Sequence, residues 1–170
     1  MMKDMLVRLL DLPDMKEKEA SLRKEESILI RRPISPEMSQ LIEWTEEHFS
    51  EFWANEVQAA FFQQPPSCFI AQKGNEIIGF ACYETTARSF FGPTGVLPEY
   101  RKLGLGKVLL VKSLEALREM GYVYGIIGGV GPEEYYKKTV NAVTIDGSEK
   151  NIYENLLRRN DRNEKGNEKG

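Results

Sequence analysis

Apolar and polar positions along the chain switch between a two-residue and a roughly 3.6-residue period, and the switches mark out the elements. Residues 5–10 (MLVRLL) and 27–32 (SILIRR) are short apolar runs that predict strands, with a charged helical stretch over 14–26 between them. Ser35, Pro36 and Glu37 predict a helix start, with Ser35 as N-cap and Pro36 in the first helical position. Met38, Leu41, Ile42, Trp44 and His48/Phe49 then keep helical spacing, and a second helix is predicted over 52–62, stopped by Pro65-Pro66. Residues 68–72 and 76–83 flank the turn Lys73-Gly74-Asn75 and predict an antiparallel hairpin. A third strand over 89–97 is interrupted by Gly92-Pro93, so it is predicted to be bent or splayed.

The clearest helix covers 104–120, where Leu105, Val108, Leu109, Leu114, Leu117 and Met120 form an apolar stripe that lapses at Lys112 and ends at Gly121. A buried strand over 121–130, a helix over 133–139 and closing strands over 142–145 and 152–157 complete the pattern. The order predicts an α+β fold, a three-layer sandwich with a mixed, splayed sheet and helices on both faces. Three regions are expected: a strand and charged helix over 1–26, the main domain over 27–158, and a tail over 159–170 that repeats NEKG and reads as disordered.

Composition changes this picture little. The 170 residues suffice for one domain with its own core, and 41% hydrophobic against 29% charged is an ordinary soluble balance. The longest apolar runs are too short to cross a membrane, and residues 1–12 are too short and charged for a secretory signal, so a cytoplasmic location is expected. A net charge of −3 argues against a nucleic-acid binder. Two cysteines, Cys68 and Cys82, make no disulfide framework and read as small core residues of the hairpin; one histidine, His48, leaves almost nothing for a metal site. Charge distribution says more: residues 33–64 carry six acidic groups (Glu37, Glu43, Glu46, Glu47, Glu51, Glu56) and no lysine or arginine, whereas 101–119 carry five basic and two acidic groups.

The segment Val96-Leu97-Pro98-Glu99-Tyr100-Arg101-Lys102-Leu103-Gly104-Leu105-Gly106-Lys107 carries the candidate chemistry. A strand ends, two cations follow, and Gly104 and Gly106 open a long helix whose first N–H groups have no intrahelical partner. That combination is an anion cradle suited to a phosphate or pyrophosphate. It lacks the third glycine of a dinucleotide fingerprint and the GK[ST] ending of an ATP-binding loop. Gly128-Gly129-Val130-Gly131 reads as a strand end rather than as a second such loop.

V-x-P-E-Y-R-x-x-G-x-G over 96–106 resembles the acetyl-coenzyme A motif of the GNAT acyltransferase superfamily, a resemblance that extends over roughly residues 27–158. It implies that Arg101, Lys102, Leu103, Gly104, Leu105, Gly106 and the adjoining Lys107 hold the coenzyme pyrophosphate. Val96 and Leu97, on the strand before them, would lie along the pantetheine arm. No metal is implied. The late segment from Gly131 to Ala142 resembles the family helix whose tyrosine protonates the leaving thiolate. That places Tyr136 as the acid, with Tyr135 a spare candidate because Asn141 stands where relatives have glycine.

The general base stays unassigned. Residues 88–97 contain no carboxylate; Glu84 reads as an exposed strand-end side chain and His48 as flanking its helix. The resemblance implies an enzyme that moves acetyl from acetyl-coenzyme A to a primary amine by direct attack in a ternary complex. A coenzyme-binding sensor that has lost turnover, and a nucleotide-binding regulator, are the rival readings. The charge split points to a cationic small-molecule or peptide acceptor, and a homodimer stays open.

Overall fold

The computed structural model describes residues 2–159 as one seven-stranded sheet in the order β2-β3-β4-β5-β6-β1-β7. The elements are β1 (Lys3–Arg8), α1 (Lys16–Glu26), β2 (Ile28–Arg31), α2 (Met38–His48), α3 (Glu51–Ala60), β3 (Cys68–Lys73), β4 (Glu76–Tyr83), β5 (Phe90–Val96), α4 (Leu105–Glu119), β6 (Tyr124–Val130), α5 (Glu133–Val140) and β7 (Val143–Thr144). Every pairing is antiparallel except β5 with β6. A parallel pair needs a crossover, which α4 supplies, so α4 begins one short turn after the carboxyl end of β5. The tail expected beyond residue 159 lies outside the described residues.

Side-chain alternation sorts the core onto two faces. Phe69 and Ala71 of β3 pack with α1 and α4, whereas Cys68 and Ile70 pack with α2 and α3. On β4, Ala71 pairs with Gly79 and Gln72 with Ile77, leaving Ile78 as an extra residue. That bulge resets the alternation, so Ile78, Ala81 and Tyr83 face α4 while Phe80 and Cys82 face α2 and α3. Cys68 and Cys82 are opposite each other, buried and unbridged. In α4 burial reaches beyond the predicted stripe, to Leu110, Val111, Ser113 and Ala116. Its Lys112 leaves the apolar surface by pairing with Glu19 of α1 at 3.0 Å. At the far end Met120 stays exposed.

Three expectations need correction. Ser35 is not an N-cap: Ser35–Glu37 forms a short 3-10 turn, and Glu37 instead accepts the Ile34 N–H at 2.8 Å while holding Arg31. The helix expected to run through 62 ends at Ala60, because the backbone tightens to three-residue bonds from Phe61 onward; its N-cap is Ser50, which accepts from Trp53 N at 3.2 Å. Residues 152–157 form no strand, since β1 already occupies the edge of β6 and β7 pairs on the other side of β1. Tyr153 and Leu156 are thereby freed from the sheet and lie against the cavity described below.

The α2/α3 layer is held over β5 by aromatic rings. Phe49 sits with ring centroids 5.7 Å from Trp44, 5.2 Å from Trp53 and 5.7 Å from Phe80. A Cβ added at Gly95 would meet the Phe49 ring at 2.5 Å. A ring wedged between three others has nowhere to move, so Gly95→Ala is expected to cost about 1–3 kcal/mol as overpacking, lowering Tm by several degrees. Thermal unfolding checks this, and an unchanged Tm would show that the layer yields.

Candidate active site

The sheet opens where β5 and β6 part. Their parallel pairing is confined to Phe90 with Ile126 and Phe91 with Ile127, while β5 stays paired to β4 as far as Val96. Beyond Phe91 the β6-facing backbone edge of β5 has no strand partner. Two local features keep the strands apart. Pro93 has no N–H to offer a ladder. On the other side, β6 bulges opposite β1 between Ile127 and Val130, with Gly129 at φ +58° and its N–H donated to Asp4 Oδ1 at 2.8 Å. The second glycine run is therefore a strand-end bulge in which the Gly129 N–H is already taken, at the strand end its sequence position suggested.

The proposed cradle forms one continuous turn. Val96, buried, ends β5; Leu97 N–H donates to Ile78 O at 2.9 Å. A 3-10 helix over Pro98–Leu103 follows, and Gly104 at φ +77° turns the chain into α4. No side chain caps α4, and its first intrahelical bond runs from Val108 N–H to Gly104 O. The N–H groups of its first turn, from Leu105 to Lys107, are thus offered outward with the positive end of the helix dipole.

Leu105 puts its side chain in the core, and Leu103 packs against it. The side chains of Lys102 and Lys107 are exposed around the turn. Arg101 bends back, its Nε donating to Val96 O at 3.0 Å, and so braces the turn. One cation was not foreseen: Lys18 of α1 reaches the cradle, with Nζ 3.6 Å from where a Cβ on Gly104 would stand. A residue 86 positions away leaves no local signal in the sequence.

On the other side of the parted strands lies a cavity of about 770 Å³. Its walls come from α3, the loop after β4, the ends of β5 and β6, the start of α5 and the segment after β7. Tyr136 lines it; burial, reinforced by Tyr135, pushes the Tyr136 phenol up to about 12. Tyr135 stacks edge-on at 5.1 Å, and its hydroxyl is 3.7 Å from the Cβ position of Gly106, on the cradle side. The two tyrosines therefore face different parts of the cleft. Asn141 ends α5 at φ +54°, with its N–H on Lys137 O and the Ala142 N–H on Tyr136 O. Asparagine tolerates the left-handed region that glycine favours, so it can close the helix at this position.

Glu84 differs from its expected exposed state. It is half-buried, accepting the Ser89 N–H at 2.7 Å and the Tyr122 hydroxyl, and so pins the start of β5. His48 lies exposed against Trp44 at the end of α2. Of the six glutamates, Glu37 pairs with Arg31, Glu51 pairs with Arg159, and Glu43, Glu46 and Glu47 are exposed. Only Glu56 lines the cavity.

A model of the acetyltransferase (GNAT) family matches residues 37–133, more than half of the chain. The chain belongs to that family. The match takes in the parted strand and the whole cradle, and leaves β1 and α1 outside it. Solved structures carry the same GNAT fold. A GCN5-related N-acetyltransferase from Sphaerobacter thermophilus has a TM-score of 0.65 at 18% identity, over 85% of this chain and 48% of that one. The GCN5-related glucosamine N-acetyltransferase region of a fungal multi-domain GH3 beta-N-acetylglucosaminidase has 0.67 at 15%, over 85% and 20%. A GCN5-related N-acetyltransferase from Kribbella flavida has 0.56 at 15%, over 84% and 54%. The chain thus spans between a fifth and about half of the length of these structures. No curated protein matches it. Among the described residues, no helix is long and apolar enough to cross a membrane.

Proposed function

We propose that this GNAT protein transfers an acetyl group from acetyl-coenzyme A to a primary amine, both bound at once in the cleft between β5 and β6. The observation that carries the reading is the juxtaposition of an uncapped, glycine-opened helix start with the unpaired edge of β5 and a cavity beyond it. Open sheets place ligands at such carboxyl strand ends, where the chain leaves in different directions. In this reading the first turn of α4 takes the pyrophosphate, with Lys102, Lys107 and Lys18 supplying positive field. The pantetheine amides pair with the free edge of β5, as an added strand would.

The amine nitrogen attacks the thioester carbonyl from about 3–3.5 Å, forming the N–C bond. As the C–S bond breaks, Tyr136 gives its proton to the leaving thiolate. The surplus proton of the amide nitrogen passes to water, and the phenolate is reprotonated from solvent. A phenol held near 12 is fully protonated at neutral pH, so the proton to be donated is present. The sign follows: the donor form is lost only as pH rises through about 12. The rate is therefore expected to show no decline from tyrosine ionisation up to about pH 10, the ordinary phenol value. An alkaline limb below that, lost in Tyr136→Phe, would show the phenol ionising earlier than its burial implies, whereas a limb retained in Tyr136→Phe would belong to another group.

Thiol release from acetyl-coenzyme A across a panel of primary amines tests the reading, with coenzyme binding measured in parallel by calorimetry. Release that depends on the amine is expected. Tight coenzyme binding with no release from any amine would leave a sensor, and preference for ATP or GTP over coenzyme A would overturn both.

A further inference from the structure

We infer that Glu56 is the acceptor's anchor: it holds a cationic group of the substrate other than the amine that is acetylated, which makes the acceptor a diamine or a similarly dicationic molecule. The inference rests on the acetyl-transfer reading for what happens at the far end of that acceptor. Its own support is the cavity wall. Glu56 projects from α3 and is fixed by two hydroxyls of the loop after β4, Thr85 at 2.5 Å from Oε2 and Thr86 at 2.9 Å from both carboxylate oxygens. A carboxylate has about four lone-pair sites, and two hydroxyl donors leave others open. No lysine or arginine pairs with it among the described residues. Among the described residues it is the one carboxylate on a cavity otherwise walled largely by apolar groups, glycines and aromatic rings, including Trp53, Phe91 and Tyr153.

A negative charge held by neutral hydroxyls inside such a cavity lacks its counter-ion, and a ligand cation supplies one with charge-assisted hydrogen bonds. The rings nearby add faces that attract cations. The chain itself shows the preference of this face: Arg158 lies over Phe52 at 5.9 Å and Arg159 binds Glu51, both on α3. Arg158 also lines the cavity, on the same side as that face.

The group held at Glu56 is separate from the nucleophile for an electrostatic reason. A carboxylate whose two oxygens both already accept threonine hydroxyls holds an ammonium in place rather than taking its proton, and a protonated nitrogen has no lone pair with which to attack. The reacting amine must therefore sit elsewhere in the same cavity, toward Tyr136, with the second cation at the α3 wall. Of the six glutamates in the acidic stretch, five are spent on surface pairs or solvent, so the cationic preference contracts to this one side chain.

The test uses α,ω-diamines of three to eight carbons beside monoamines and ω-amino acids of equal length, titrated by calorimetry into the coenzyme A complex of wild type, Glu56→Gln and Thr86→Val. Wild type is expected to bind its best diamine at least tenfold tighter than the matched monoamine and to reject the amino acid. Glu56→Gln should abolish that advantage, and Thr86→Val, which loosens the carboxylate, should reduce it. Coenzyme affinity in each variant reports that the fold is intact. Equal affinities in wild type, an advantage that survives in Glu56→Gln, or no measurable binding by any of these amines would overturn the anchor. Thiol release is followed with the same panel. The binding pattern without release would uphold Glu56 as the cation site and sink the acetyl-transfer reading, whereas release without the pattern would do the reverse.

Discussion

Tyr136→Phe is expected to lower turnover by about 10²–10⁴-fold, the usual cost of a lost general acid, with little change in coenzyme affinity. The reason for the split is that a proton donor acts on the thiolate only as the C–S bond breaks, so the bound ground state hardly feels it. Removing one hydroxyl from a ring that packs against the α4 face of the core leaves the apolar contacts in place. Stability should therefore hold, and steady-state kinetics reads chemistry alone. Tyr135→Phe is the matched control, because its hydroxyl approaches Gly106 rather than lining the cavity. It is expected to weaken coenzyme binding modestly and to spare kcat. A large kcat loss in Tyr135→Phe with near-normal turnover in Tyr136→Phe would exchange the two roles.

How far the sequence carried depended on whether a feature was local. The hairpin of β3 and β4, the long α4 and the strand-to-helix turn between Val96 and Lys107 are each written in a short continuous stretch, and each stands where the pattern placed it. Glycine at 104 announced the start of a long helix, and the chain turns into α4 there at φ +77°. The interrupted strand announced the opening, since Gly92-Pro93 falls just where pairing with β6 stops.

What could not be read was set by competition between distant segments. Residues 152–157 have a strand-like composition, but β6 has one free edge and β1, from the other end of the chain, fills it. The same long-range placement brings Tyr153 and Arg158 to the cavity, and Lys18 to the cradle. Glu84 looked like a surface carboxylate because its partners, Ser89 and Tyr122, meet it only through the turn into β5 and the return of the chain after α4. Six glutamates carried the same signal in the sequence; only packing distinguishes Glu56, whose neighbours Thr85 and Thr86 lie 29 and 30 residues on.

Gly104→Val is expected to weaken coenzyme A binding by well over tenfold. Two effects contribute and can be told apart. A β-branched residue at φ +77° is strained by at least about 1–2 kcal/mol, which costs stability and distorts the start of α4. Its side chain also projects into the space that a phosphate must enter to reach the first-turn N–H groups. The Cβ would touch Lys18 Cε at 2.8 Å, but that is the far end of a flexible side chain, which can swing aside. Crowding against Lys18 is thus a minor stability cost, yet it displaces a cation from the cradle. Gly104→Asn separates the two effects, because asparagine accepts the left-handed region while still filling the approach. If the cradle binds pyrophosphate through its backbone, both variants lose affinity, and Gly104→Asn does so with nearly unchanged thermal stability. Lys18→Ala should then weaken binding by a smaller factor that shrinks further at high salt, as an exposed charge does when screened. Calorimetry on the three variants decides the matter: wild-type affinity in a folded Gly104→Asn protein would place the coenzyme phosphates somewhere other than the start of α4.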